Sequence, residues 1–294
     1  MFSNITRQAP PRQAHRGRTD VPVLGREWRS QPMNHTPDPT ASRFPTIRQV
    51  HARAVFGWVQ AGWHDCRQSG FASLFYGTCF AAAGWLMQVV FEHASALFAG
   101  LATGFLLFGP FLSFGLYDLS RRIEIGEPPR LAPTLVAWRP NLANIGVFAA
   151  LLAVVLLIWA RASIIVFALF FAGGLPSFAE VVRTVLTFEQ ADFAIVYFAV
   201  GGFFACFVFA ISVIALPMML DRKTDAITAA IASLFACARN PGPMLLWAAC
   251  IAVLAAIGFA TLFLGLIVTM PLVGHASWHV YREVVADEEK TDLC

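Results

Sequence analysis

Apolar runs long enough to cross a bilayer alternate with short polar segments along most of this chain. A spanning helix needs about 20 predominantly apolar residues. Phe71 to Phe91, Ser95 to Tyr117, Leu142 to Trp159 and Phe193 to Leu216 each approach or meet that length. The run from Met244 to Tyr281 has 38 residues, too many for one ordinary crossing, and predicts two helices joined by a tight turn near Gly258 to Gly265. Ser163 to Gly174 is apolar for only twelve residues, so it reads as an extension of the third helix or as an interfacial segment, with Arg161 opposing a separate crossing.

Between the runs the pattern changes to amphipathic. Ile47, Val50, Ala54, Trp58 and Gly62 recur at helical spacing, as do Ile227, Ile231, Leu234 and Ala238 after Thr224, a candidate N-cap. Interfacial helices are therefore expected over about 46–66, 130–138 and 224–238. Three of the spans are entered alike, through AGWHDCRQSG at 61–70, LVAWRPN at 135–141 and LFACARNPG at 234–242. Each phrase places an Arg (Arg67, Arg139, Arg239) just before a Gly, Pro or Asn breaker, and Pro110, Pro217 and Pro271 precede the charges that close each unit. The predicted fold is an all-α integral membrane protein. Its six transmembrane helices form three pseudo-repeated units of an interfacial helix plus a hairpin, at about 46–122, 130–223 and 224–283. Together they make a membrane domain over 46–283.

Composition agrees: of 294 residues 57% are hydrophobic and only 13% charged, against roughly a quarter charged in a soluble domain. Residues 1–45 are rich in Pro, Arg and Gln, show no periodicity, and are expected to be a disordered basic tail without a secretory leader, with Met33 as an alternative start. Residues 284–294 form a short acidic tail.

Charge placement gives an orientation. With the N-terminus in the cytoplasm, nineteen of the twenty-one basic residues fall on that side, and only Arg161 and Arg183 lie opposite. Both termini are then cytoplasmic. The six Cys show no C-x-x-C spacing and read as reduced thiols.

The phrases LPMMLDRKTDAITA, ARNPGPMLLW and MPLVGHASWHVYRE resemble a bacterial family of predicted integral membrane proteins of unknown function, some of whose members have been labelled cytochrome c oxidases. The resemblance runs from about Phe44 to Val285. It implies a fold and a bacterial inner-membrane location, and it brings no activity or catalytic residues.

The sharpest candidate chemistry is His275 and His279, spaced i,i+4 so that both rings leave one helix face, as metal or haem ligands would; His64 and Cys66 could join them. The bland alternative is an interfacial cluster with Trp278 and Tyr281. Four of the spans carry no His, Lys, Arg or Asp inside, which argues against the several buried His ligands of a haem-copper centre and against a proton relay. Arg67, Arg139 and Arg239 are expected at equivalent interfacial places. There they would bind helix-end carbonyls or anionic headgroups, or else converge on a shared anion site.

Gly100, Gly104, Gly201 and Ala205 permit close helix packing, and the many Phe residues read as lipid-facing filler. The sequence leans away from an enzyme. It favours a non-catalytic accessory or scaffold subunit of a membrane complex, ahead of a transporter or channel for a small or lipid-like solute, and then a haem protein. The expected partners are the bilayer, its anionic headgroups and other membrane subunits, not nucleic acid.

Overall fold

A computed structural model describes residues 44–93, 109, 112–171 and 191–286, and within them every long element is helical. Most of the tails expected at 1–45 and 284–294 (residues 1–43 and 287–294), most of the second run up to residue 111, and Arg183 lie outside the described residues, as do the side chains at 91–93.

The chain enters through an extended segment whose Ile47 pairs antiparallel with Val285, and Arg48 N donates to Val284 O at 2.8 Å. Helix α1, Ala54–Ser69, then turns Val55, Trp58, Gly62, Asp65 and Ser69 inward at helical spacing. Gly70, at φ +46°, breaks it from α2, Phe71–His93. Helix α3 occupies 112–124. The expected interfacial helix at 130–138 is shorter than the pattern suggests. Only α4, Leu131–Thr134, forms, after which the bonds tighten to i,i+3 from Val136 and Ala137 and the chain passes through a 3-10 turn at Arg139–Asn141. Pro140 contributes at the last step, because it has no N–H to give Val136 O, which takes Arg139 N at 3.0 Å instead.

Helix α5, Leu142–Phe170, absorbs the Ser163 segment as a continuous extension. Its 29 residues span about 43 Å, longer than the roughly 30 Å hydrocarbon core, so Arg161 need not sit at mid-depth. Helix α6, Ala191–Ser212, leads through a short break to α7, Ala215–Asp221. Helix α8, Ala226–Arg239, is capped by Asp225, not Thr224; the carboxylate accepts from Ile227 N and Thr228 N. Its inner face is Ala226, Ala229, Ala232, Ser233 and Ala236, while the apolar stripe Ile227, Ile231 and Leu234 points outward. The 38-residue run is indeed two helices, α9 (Pro241–Ala260) and α10 (Leu266–Val284). Between them Leu262 and Phe263 adopt positive φ, and Thr261 Oγ1 receives Gly265 N at 2.8 Å.

Helix α10 is the hub, packed on α1, α2, α9 and α7. Gly62 lets α1 approach it closely: a Cβ there would stand 2.7 Å from Ala276 N. Among the described residues four stretches are long and apolar enough to cross a membrane, Phe71–Val90, Leu131–Phe170, Ala191–Asp221 and Pro241–Ala260. Helix α10 is not one of them, its second half carrying His275, His279, Arg282 and Glu283; from Gly274 to Tyr281 every residue but His279 is buried.

Candidate functional site

Four helices bring a polar cluster into the interior. Asp65 comes from the last turn of α1, Ser69 ends that helix, Ser73 lies in the first turn of α2, Ser120 in α3, and His275 and His279 in α10. All but His279 are buried, and His275 is completely enclosed. His275 Nδ1 contacts Ser120 Oγ at 2.7 Å and its Nε2 contacts Ser73 Oγ at 2.7 Å. Ser120 Oγ donates to Asp65 Oδ2 at 2.6 Å, and His279 Nε2 reaches the same oxygen at 2.8 Å. Ser73 meets Ser69, whose hydroxyl donates to the Asp65 carbonyl at 2.6 Å, and the ring of contacts closes.

Burial alone would push the Asp65 carboxyl up. The hydrogen bonds from His279 and Ser120, with the charge on His279, outweigh it and hold the group below the usual carboxylate range. The neighbouring Cys66 thiol is pushed up to about 12, by burial first and by the Asp65 charge second, so it stays protonated.

A second layer surrounds this core. Asp118, buried, takes Arg121 at 2.7 Å and Arg122 at 2.8 Å. Glu124 of α3 accepts from Trp278 Nε1 and from Arg282 Nε, both at 2.9 Å. Tyr281 donates to Asp221 at 2.7 Å while Arg222 Nε donates to the Tyr281 oxygen at 3.0 Å, which ties α7 to α10. Trp58 Nε1 donates to Glu283 at 2.6 Å.

The structure thus brings His275 and His279 to one carboxylate. His64 points away: its side chain is 75% exposed, with Nδ1 3.7 Å from Asp65 Oδ1. The donor set does not fit a metal or haem iron in this arrangement. Both ring nitrogens of His275 are engaged by hydroxyls, and no group of three or more His, Cys, Asp or Glu with metal spacing occurs among the described residues. Arg67, Arg139 and Arg239 are all exposed, Arg139 lying over the Trp138 ring at 5.9 Å. The sequence reading missed Asp65, Ser69, Ser73 and Ser120. One signal was present: Asp65 continues the Trp58, Gly62 stripe at the next helical step, and an acid on an inward face needs partners.

The other half of the molecule offers an apolar groove. Leu152, Leu156 and Trp159 of α5 face Gly201, Phe204 and Ala205 of α6 across a partly open cavity of about 400 Å³. Gly201 and Ala205 do not close the two helices together here; a Cβ at Gly201 would find its nearest neighbour, Trp159 Nε1, 4.0 Å away.

Several long apolar helices define, among the described residues, an all-helical, multi-pass integral membrane protein. Residues 97–221 match the model of a family described as predicted integral membrane protein (DUF2189). The matched part runs from before α3 to the end of α7. It includes Ser120 and the groove but none of α1, α2 or α10. No curated protein and no solved structure matches the chain.

Proposed function

We propose that the protein is a non-catalytic accessory or scaffold subunit of a bacterial inner-membrane complex, which engages its partner along the α5–α6 flank. The observation that carries this reading is the contrast between the enclosed polar cluster, whose groups bond one another, and the partly open apolar groove. A polar path across the molecule would have spoken for transport.

The topology belongs to the same proposal: six crossings, both termini cytoplasmic, and three repeated units. Supporting the repeat, each of three helix breaks precedes a long apolar helix, at Gly70, Asn141 and Asn240. The two Asn side chains play matching parts. Asn141 donates to Met219 O and Thr224 O at the approach to α8, and Asn240 bonds Arg48 O and Val50 N at the approach to α1. Arg67, Arg139 and Arg239, exposed at these breaks, are placed to meet lipid phosphates.

The test is a photoreactive residue at Ala205, irradiated in native membranes before purification in mild detergent, with the absorption spectrum recorded. A polypeptide adduct at Ala205, absent when the label is at Phe56 on the other half, is expected. A chain that arrives alone with only lipid attached would replace this reading with the second, transport of a small or lipid-like solute, which the buried Asp65 and His275 favour. A Soret band would restore the haem reading. Reporter fusions at Gly174 and at the C-terminus should report opposite compartments; the same compartment for both would remove the six-crossing topology.

A further inference from the structure

We infer that the ring of contacts joining Asp65, Ser120, His275, Ser73 and Ser69 is a binding site for one proton, set inside the bundle at the junction of α1 and α2. The argument is a count of hydrogens. Five contacts close the ring: Ser69 to the Asp65 carbonyl, Ser69 to Ser73, Ser73 to His275 Nε2, His275 Nδ1 to Ser120, and Ser120 to Asp65 Oδ2. Each hydrogen bond needs one hydrogen. The three hydroxyls supply three, and a neutral imidazole supplies one. With an ionised Asp65 and a neutral His275 there are four hydrogens for five contacts, so one more proton is required.

The direction of three of the five bonds follows from the fixed end. A backbone carbonyl only accepts, so Ser69 spends its hydrogen on Asp65 O. Ser73 must then donate to Ser69, and His275 Nε2–H must donate to Ser73. The fifth proton lies on the other side of the imidazole, and two arrangements hold it. In one, His275 Nδ1–H donates to Ser120 and Ser120 donates to the Asp65 carboxylate. In the other, the Asp65 carboxyl donates to Ser120 and Ser120 donates to Nδ1. They interconvert when Ser120 passes one proton on and receives another, so atoms and charge balance without any outside group. The first is an ion pair and the second is neutral, which lets the site keep its proton in a low dielectric.

Release of the proton has a defined consequence. Asp65 stays ionised, the Ser120 contacts hold with Nδ1–H, and Nε2 becomes an acceptor that takes the Ser73 hydrogen. Ser69 and Ser73 then face each other with lone pairs alone. They flank Gly70, the positive-φ break between α1 and α2, so the strain of deprotonation falls on that joint.

The charged and titratable groups around the imidazole come from each packed element. Helix α1 gives Asp65, with His64 beyond it; α10 gives His279, bonded to Asp65; α3 gives Ser120, while its Asp118 is committed to Arg121 and Arg122; α2 gives only hydroxyls at this level.

The experiment is nitrogen-15 NMR of the full chain with labelled histidine in nanodiscs, His275 being assigned by the signal lost in His275→Gln. If that variant does not insert, a chain with the other six histidines replaced leaves His275 as the single labelled ring. At about pH 7 the His275 Nε2 is expected to carry hydrogen, either as imidazolium or as the Nε2–H tautomer, with a switch to the Nδ1–H tautomer at higher pH. Ser120→Ala should lower the site's proton affinity at least about tenfold, one pKa unit, while Ser120→Thr keeps it. A neutral Nδ1–H tautomer at pH 7, or a titration indifferent to Ser120→Ala, would overturn the proposal.

Discussion

The half of the molecule around α10 and the half built on α5 and α6 solve the packing problem in opposite ways. Around α10 the contacts are glycine approaches and bonded polar groups: Gly62 on Ala276, Gly274 on Leu116, and the Asp65–His275 ring. Between α5 and α6 the contacts are rings on rings. Phe167 of α5 meets Phe193 at 5.4 Å and Tyr197 at 5.3 Å, Phe171 meets Phe193 at 5.0 Å, and beyond them the groove stays partly open. In lipid an apolar side chain gains little by touching another helix instead of an acyl chain, so polar bonds and close backbone approach must give a bundle its specific geometry. The first half is therefore the one whose arrangement is fixed from within. The second leaves a surface for something else to fill.

The comparison breaks most readily at Asp65. Asp65→Leu removes the acceptor of two bonds and strands Ser120 and His279, and a loss of about 3–5 kcal/mol is expected in thermal or denaturant unfolding of the purified protein. The pH dependence has a definite sign. Because the folded carboxyl titrates below its ordinary value, its contribution is present above the unfolded value, near 4, and is lost as pH falls through the folded one. Wild type and Asp65→Asn should therefore differ most near neutrality and converge in acid. A difference that grows as pH falls would mean that the carboxyl is not held ionised by its neighbours.

The next largest effect tests the glycine contacts. Gly62→Leu sets a side chain against the Ala276 backbone, 2.7 Å from where its Cβ must stand, and neither helix can yield without disturbing the bonds at Asp65. Overpacking of this kind costs about 1–3 kcal/mol, and here it should also raise proteolysis at the α1–α2 joint.

These two positions show what was legible in the sequence. Apolar length located α2, α5, α6 and the α9–α10 pair, because bilayer thickness leaves few choices. Helical spacing put Trp58 and Gly62 on one face, and that face is inward in α1. The same spacing in α8 gave the stripe Ile227, Ile231 and Leu234, which turns outward while alanines face the core. Periodicity identifies a face, but in a membrane either face has an apolar neighbour. The polar ring was hidden for another reason: Ser73 and Ser120 lie 202 and 155 residues from His275, and no local pattern marks a serine that will meet a histidine so far away. His275 and His279 were found as a pair, and the acid that joins them, Asp65, lies 210 and 214 residues away.

A smaller effect sharpens the boundary between the halves. Asp225 caps α8 through Ile227 N and Thr228 N, and these bonds hold its exposed carboxyl below the usual range. Asp225→Ala should cost about 1 kcal/mol, the usual worth of such a cap, and should loosen amide exchange in the first turn of α8 while leaving α1 and α10 unaffected. Loss of protection throughout α10 would show that the two halves unfold as one unit.

The smallest effect is expected at Gly201, which makes it the most demanding test of the contrast. The residue sits inside α6, where glycine costs a helix up to about 1 kcal/mol relative to alanine, and a Cβ there meets nothing nearer than Trp159 Nε1 at 4.0 Å. Gly201→Leu should leave unfolding within about 0.5 kcal/mol of wild type or raise stability slightly, because the new side chain enters the groove and displaces lipid, not protein. Its expected consequence is elsewhere: the filled groove should lose the photo-adduct at Ala205. The same substitution at two glycines thus reads out the two halves, with destabilisation at Gly62 and loss of an outside contact at Gly201. Equal destabilisation at both would mean that α5 and α6 are packed from within like the helices around α10, and that the groove is no surface for a partner.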